Sequence, residues 1–297
     1  MSHAVGVLAM EHIAAGLVHG YRLVGPIRTW PRDATGAGAL QGLPAEQIAE
    51  AIRTLVEEVR DGATLDAVGV GFPGIIQSGI VEDSPNLPQM KGFLLERALV
   101  SALTPAPVHV LNDADAVAAG IAATRGRLGT VIRVWTLGSG VGFGRYPQAD
   151  GIWEGGHVVV SLDPRENLCG CGGQGHLEGI VGYRSMRLRF LDMEPEEVFA
   201  GAAAGDERCV PFVRQWHRAL AAATATSVHL DGPGRFYLSG PYASFVDLPT
   251  LAAELADLVK MSPLQGSAFE IEPGNDDTAI IGAAVSALAR VKLPAAR

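Results

Sequence analysis

Two thiols and two imidazoles fall close together in this chain: His157, Cys169, Cys171 and His176. Thiolate and imidazole are ligands that Zn²⁺ prefers, and a closed set of four such donors makes a structural site rather than a catalytic one. The alternative is a pair of loop thiols beside ordinary surface histidines. The C-x-C spacing, the density of glycine around it and the absence of oxygen donors among the four favour zinc. Glu154 and Glu178 stand at the two ends of this stretch, so the metal centre reads as a device for positioning a substrate-binding loop.

Three further groups can carry chemistry. Asn112-Asp113 closes an apolar run and opens an alanine-rich one. A carboxylate at the carboxyl end of a buried strand points to where α/β proteins bind ligands, and there it can act as general base; it can equally cap the following helix. The glycine run 138–144 (GSGVGFG) suits either a tight hairpin or a loop that cradles phosphate, since both need close backbone approach. Pro85-Asn86-Leu87 is turn chemistry by itself.

The elements that must hold these groups alternate along the chain. Strands are expected at 5–9, 14–18, 67–72, 106–111, 130–137 and 234–238, with a turn near Gly20. Helices are expected at 44–60, from the 112–115 junction to Ala123, at 214–230 and at 280–291. Strands and helices succeed one another in two sets, an α/β pattern. With 297 residues, 48% of them hydrophobic, the chain can bury one large core or two ordinary ones. A net charge of -9 without a basic tail argues against a general nucleic-acid or anionic-membrane binder, though not against an anionic substrate. Three cysteines make no disulfide framework. The opening residues do not read as a signal peptide, and no apolar run approaches a membrane span. The expectation is a soluble, cytoplasmic protein.

Taken together these residues resemble the ROK family of sugar kinases and repressors. The likeness runs from GVGFPG at Gly69 to the closing IIGAAVSALA. Its most specific part is E-x-G-H followed by C-x-C-G-x-x-G-C-L-E, here Glu154 to His157 and Cys169 to Glu178, with His176 in place of the third cysteine. Family elements P-N-L, N-D-A-N-A-A and L-G-T-G-I-G-G-G stand at 85–87, 112–117 and 137–144. The resemblance implies a two-lobed actin-like ATPase (ribonuclease H-like) α/β fold with a cleft between lobes. One lobe would comprise 1–112 plus 283–297, the other 113–282 with the zinc loop. It implies Asp113 as the base toward a hydroxyl of a hexose, amino sugar or related cyclitol, held by Asn86, Asn112, Asp113, Glu154, His157 and Glu178. ATP with Mg²⁺ would meet Gly138, Ser139, Gly140, Gly142 and Gly240. Structural zinc would be held by His157, Cys169, Cys171 and His176, with the second nitrogen of His157 touching the sugar. Family members are commonly homodimers or homotetramers.

One departure matters for the reaction. Where the family opens with D-I-G-G-T-K, this chain reads Val7-Leu8-Ala9-Met10-Glu11-His12. Valine cannot recruit hydrated Mg²⁺, and side chains at Ala9 and Met10 crowd a backbone meant for phosphate; phosphoryl transfer depends on that positioning and charge neutralisation. Ser239-Gly240-Pro241 lacks a usual second glycine, and Phe143 replaces another. The kinase reading stands first. A divergent member that binds or transforms a sugar or sugar phosphate without ATP stands second. A repressor is disfavoured, because the first strand begins by Val5 and leaves no room ahead of it for a DNA-binding segment.

Overall fold

A computed structural model describes residues 3–32, 38–103, 105–148, 151 and 153–292. They fall into two units. The first comprises Met1–Ile132, Gly144–Ile152 and Asn275–Arg297, and the second Arg133–Phe143 and Trp153–Gly274.

The first unit is built on a five-stranded sheet. Its strands are β1 (His3–Ala9), β2 (Ile13–His19), β3 (Arg22–Trp30), β4 (Ala67–Phe72) and, beyond the short hairpin of β5 (Ile75–Gln77) and β6 (Ile80–Asp83), β7 (Val108–Asn112), in the order β3-β2-β1-β4-β7. β1, β4 and β7 run parallel, β2 pairs antiparallel with β1, and β3 pairs antiparallel with β2. β4 is buried along its whole length, which is why AVGVGF reads as an unbroken apolar run. The side chains of β1 alternate between two covers. Val5, Val7 and Ala9 join Ile48, Ile52 and Leu55 of α1 (Ala45–Arg60). Ala4 and Leu8 join Ile280, Ala283 and Ala284 of the closing helix α9 (Asp276–Lys292). That second contact is backbone on backbone: a Cβ at Gly6 or Gly69 would collide with the carbonyl of Ile280 or Ala283. α2 (Leu95–Leu103) precedes β7, and α3 (Asp113–Thr124) follows it and packs along α9.

A four-stranded sheet is formed by β8 (Ile132–Leu137), β9 (Val141–Tyr146), β10 (Arg235–Ser239) and β11 (Ala268–Ile271), ordered β11-β10-β8-β9; it belongs to the second unit except for Ile132 and the end of β9 from Gly144, which fall in the first. The second unit's helices are α4 (Glu178–Val181), α5 (Tyr183–Arg189), α6 (Pro195–Ala203), α7 (Cys209–Asp231) and α8 (Leu248–Leu258). Trp135 and Trp216 anchor its core, and both are fully buried. Each indole N–H finds an acceptor, Thr224 Oγ1 at 3.0 Å and the Val181 carbonyl at 3.2 Å.

Several boundaries differ from the sequence expectation. β3 is a strand despite Gly25-Pro26, because it lies at the sheet edge, where proline breaks no needed hydrogen bond. α7 begins at Cys209 rather than 214, since Pro211 falls in the first turn, where a missing N–H costs nothing. The expected lobe boundary at 112/113 lies inside the first unit, because α3 packs against α9; the returning segment starts at Asn275 rather than 283. No helix among the described residues is long and apolar enough to cross a membrane.

Candidate functional site

The four expected zinc donors converge in the second unit. His157 ends a single 3₁₀ turn, Gly155–His157, and the chain returns to it through an isolated bridge between Val159 and His176. Cys169 Sγ lies 3.4 Å from His157 Nδ1 and 3.4 Å from Cys171 Sγ, and Cys171 Sγ lies 3.2 Å from His176 Nδ1. All four donor atoms fall within 4.8 Å of one another. Zinc bonds of about 2.0–2.3 Å in a tetrahedron put neighbouring donors about 3.3–3.8 Å apart, so the donor set fits one ion. Gly173 is required for this closure, because a Cβ there would run into the His176 ring. Burial, with Cys171 and Glu178 beside it, pushes the Cys169 thiol up to about 12. Only a cation at the centre would hold it as thiolate near neutral pH. Burial also lowers the His176 pKa, which keeps the ring neutral and able to ligate.

The two flanking carboxylates have different surroundings. Glu178 opens α4; its Oε1 lies 3.5 Å from Cys169 Sγ, and its Oε2 accepts the Val141 N–H at 3.1 Å. It thereby ties the zinc loop to the β8–β9 hairpin. Glu154 is half-buried, and burial raises its pKa; the nearby Glu178 raises it further, while His157 opposes the shift. His157 meets the ligand cluster through Nδ1; a metal bound there would leave the Nε2 side for a ligand.

The glycine run is a hairpin turn. Gly138 N–H donates to the Gly140 carbonyl at 3.0 Å. The carbonyls of Gly138 and Ser139 accept the first N–H groups of α5, from Tyr183 at 3.2 Å and Arg184 at 3.1 Å. Gly142 lies within β9. Gly240, at φ 94°, turns the chain after β10 directly against Leu137, so this turn adjoins the place where the hairpin starts.

Asn86, Asn112 and Asp113 belong to the first unit. Asn86 is exposed in a turn closed by Leu87 N–H on the Ser84 carbonyl at 3.1 Å. Asp113 is half-buried and is the first residue of α3; the cap is Asn112 instead. Asn112 Oδ1 accepts from Ala114 N at 2.8 Å and Asp115 N at 3.4 Å, and its Nδ2 donates to the Gly74 carbonyl at 2.9 Å. Only one N–H of that amide remains for a ligand.

The opening strand gives the opposite picture. Val7 and Ala9 are fully buried, and Val7 sits in the apolar cluster beneath α1. The β1–β2 turn closes by Met10 N–H on the His12 carbonyl at 3.0 Å, and His12 Nε2 pairs with Asp276 Oδ2 at 3.2 Å. No carboxylate therefore stands where the family motif would hold Mg²⁺. Glu11 and Asp276 are the acidic groups beside this turn.

Sequence reasoning met Asp115 and Gly144 within the junction and the glycine run but gave neither a role of its own. Asp115 is buried and accepts the Arg145 N–H at 2.8 Å, and a Cβ at Gly144 would collide with the Ala114 carbonyl. A second acid two residues after Asp113 in an otherwise alanine-rich helix was the available signal.

Comparison with known proteins agrees with this arrangement. The sequence profile of the ROK family matches residues 41–290. The glucokinase of Pyrobaculum calidifontis is 34% identical over 251 residues, covering 78% of this chain and 82% of that protein. The glucokinase of Thermotoga maritima is 30% identical over 272 residues, covering 80% and 84%. Among solved structures, the ROK hexokinase from Thermus thermophilus superposes with a TM-score of 0.76 at 25% identity, covering 98% of this chain and 99% of that one.

Proposed function

The chain belongs to the ROK family, and from that membership we propose that it is a sugar kinase of the two-lobed actin-like fold, with a hexose such as glucose as acceptor. The observation that carries the reading is Asp113. It sits at the carboxyl end of a buried parallel strand, on the first turn of a capped helix, where a carboxylate can take a proton from a sugar hydroxyl. The hydroxyl oxygen attacks the γ-phosphorus of ATP, its proton passes to Asp113, and the bond to the β-phosphate oxygen breaks to release ADP. Glu154, Glu178, Asn86, Asn112 and His157 Nε2 supply hydrogen-bonding groups for the remaining hydroxyls. His157, Cys169, Cys171 and His176 would hold zinc, and that bond would fix the tautomer and orientation of His157. The glycine turns at Gly138, Ser139, Gly140 and Gly240, with Gly142 just beyond, offer close backbone approach for the nucleotide.

The test is Asp113→Asn, which removes the base and little volume. ADP release with ATP and glucose should fall about 10²–10⁴-fold. Glucose affinity by calorimetry should stay within about twofold, since one amide replaces one carboxylate as hydrogen-bond partner. Undiminished turnover would remove Asp113 from the role.

The buried Val7 favours a second reading, in which the chain binds or converts a sugar or sugar phosphate without ATP. A sugar that raises the melting temperature, beside ATP that neither binds nor yields ADP, would select it.

A further inference from the structure

We propose that Asp115 and Gly144 are positioning residues for Asp113, clamping the first turn of α3 to β9. The inference rests on the kinase reading above.

A general base must keep its oxygen within hydrogen-bond reach of the proton it takes, and a misplacement of about 1 Å costs about 10²-fold in rate. Asp113 stands where a helix has the least internal support. It is the first residue of a helix, and the first turn of any helix has N–H groups with no intrahelical partner. Three contacts hold the turn. Asn112 secures it from the strand side, taking the Ala114 and Asp115 N–H groups while anchoring itself on the Gly74 carbonyl. The other two come from β9. Asp115 reaches across to accept the Arg145 N–H at 2.8 Å. Gly144, one residue earlier, brings its bare Cα against the Ala114 carbonyl, where any side chain would collide. Asp113 thus precedes two residues whose positions are fixed by the neighbouring strand.

Asp115 has no cheaper reason to be there. It is 5% exposed and is followed by Ala116, Ala118 and Ala119, all buried. Packing alone would be served by another alanine, and a buried carboxylate is costly unless it is hydrogen-bonded. One bond it makes is to backbone, the Arg145 N–H. Asparagine, which the family element carries at this place, can accept the same bond. For that bond the requirement is an acceptor oxygen.

The experiment compares Asp115→Ala and Asp115→Asn in the full zinc-loaded chain, reading ADP release with glucose and glucose binding by calorimetry. Asp115→Ala should lose about 10- to 100-fold in kcat, while KM and the calorimetric Kd for glucose stay within about twofold. Asp115→Asn should return kcat to within about threefold of the original, because its amide oxygen accepts the Arg145 N–H. Full kcat in Asp115→Ala, a parallel loss of glucose affinity, or equal impairment of both variants would overturn the clamp. Should Asp115→Ala not fold, Gly144→Ala presses on the same turn from the strand side and should show the same kcat-selective loss; unchanged kcat there also overturns it. Absence of ADP release from the unaltered chain removes the kinase reading and the clamp together. Turnover by the unaltered chain with equal turnover by Asp115→Ala removes the clamp alone.

Discussion

The zinc loop and the opening strand both meet the family pattern with exchanged residues, and the structure treats the exchanges in opposite ways. In the loop, histidine replaces cysteine at His176, and its Nδ1 still closes a four-donor cluster 3.2 Å from Cys171 Sγ. In the strand, valine replaces aspartate at Val7, and the side chain disappears into the core under α1. The first exchange keeps a ligand in place because it swaps one electron-pair donor for another. The second swaps a charge for a packing group. Residues that serve chemistry are often poor for stability, so a site that loses its task is free to join the core.

That contrast can be attacked at each end. The larger test is Val7→Asp, which restores the family's residue to the strand. If the position is now core, an unpaired buried carboxylate should destabilise the protein by about 3–5 kcal/mol, read from denaturant unfolding. A variant that unfolds at the same midpoint and gains Mg²⁺-dependent ATP binding would show that the site was waiting for its aspartate. The next test is Cys171→Ser. Bound zinc, measured by atomic emission, should fall from about one per chain to a small fraction. Glucose affinity should weaken about 10-fold as His157 loses its fixed orientation. Full affinity in the zinc-free variant would separate the metal from the sugar.

The smallest effect sharpens the distinction between donor and packing histidines. His217 is buried in the same unit as the zinc loop. Its Nδ1–H donates to the Val213 carbonyl at 2.8 Å, and its Nε2 accepts the Asp247 N–H at 2.9 Å. Burial lowers its pKa below the ordinary value, so the unfolded chain takes up the proton first as pH falls. Its stabilising contribution is complete above about pH 6.5 and declines as pH drops through the folded value. His217→Gln should reduce the acid-side fall in melting temperature between about pH 7 and 5 by a few degrees. An identical pH dependence in the variant would place the acid-sensitive group elsewhere.

The sequence revealed most where the signal was local. β4 was legible as AVGVGF because a doubly covered parallel strand needs no polar face, and α1 because its apolar residues recur at helical spacing. The convergence of the four His and Cys donors was legible because C-x-C between glycines has few other uses. Elements whose form depends on distant partners were not. β3 carries Gly25-Pro26 and becomes a strand because β2 is beside it, while no strand among the described residues pairs with its other edge. The unit boundary was misplaced because α3 is held by α9, far along the chain. Asn112 and Asp113 were found as a pair, yet which of them caps was settled only by the φ and ψ at Asn112. Asp115 was given no role of its own, because its bond to the Arg145 N–H is one that no side-chain pattern announces.

The backbone contact between α9 and the sheet also sets a timetable for synthesis. One face of the first unit, with Ala4, Leu8, Ala14, Val18, Ala67 and Leu111, is covered by Ile280, Ala283 and Ala284. On the ribosome those residues emerge early, and their cover emerges only after the whole second unit has been made. A nascent chain must therefore carry an apolar sheet face without its α9 cover through most of its translation, a condition that favours chaperone engagement and aggregation. Gly6 and Gly69 allow no larger residue to shield that face in the meantime, because α9 must later lie flush against them.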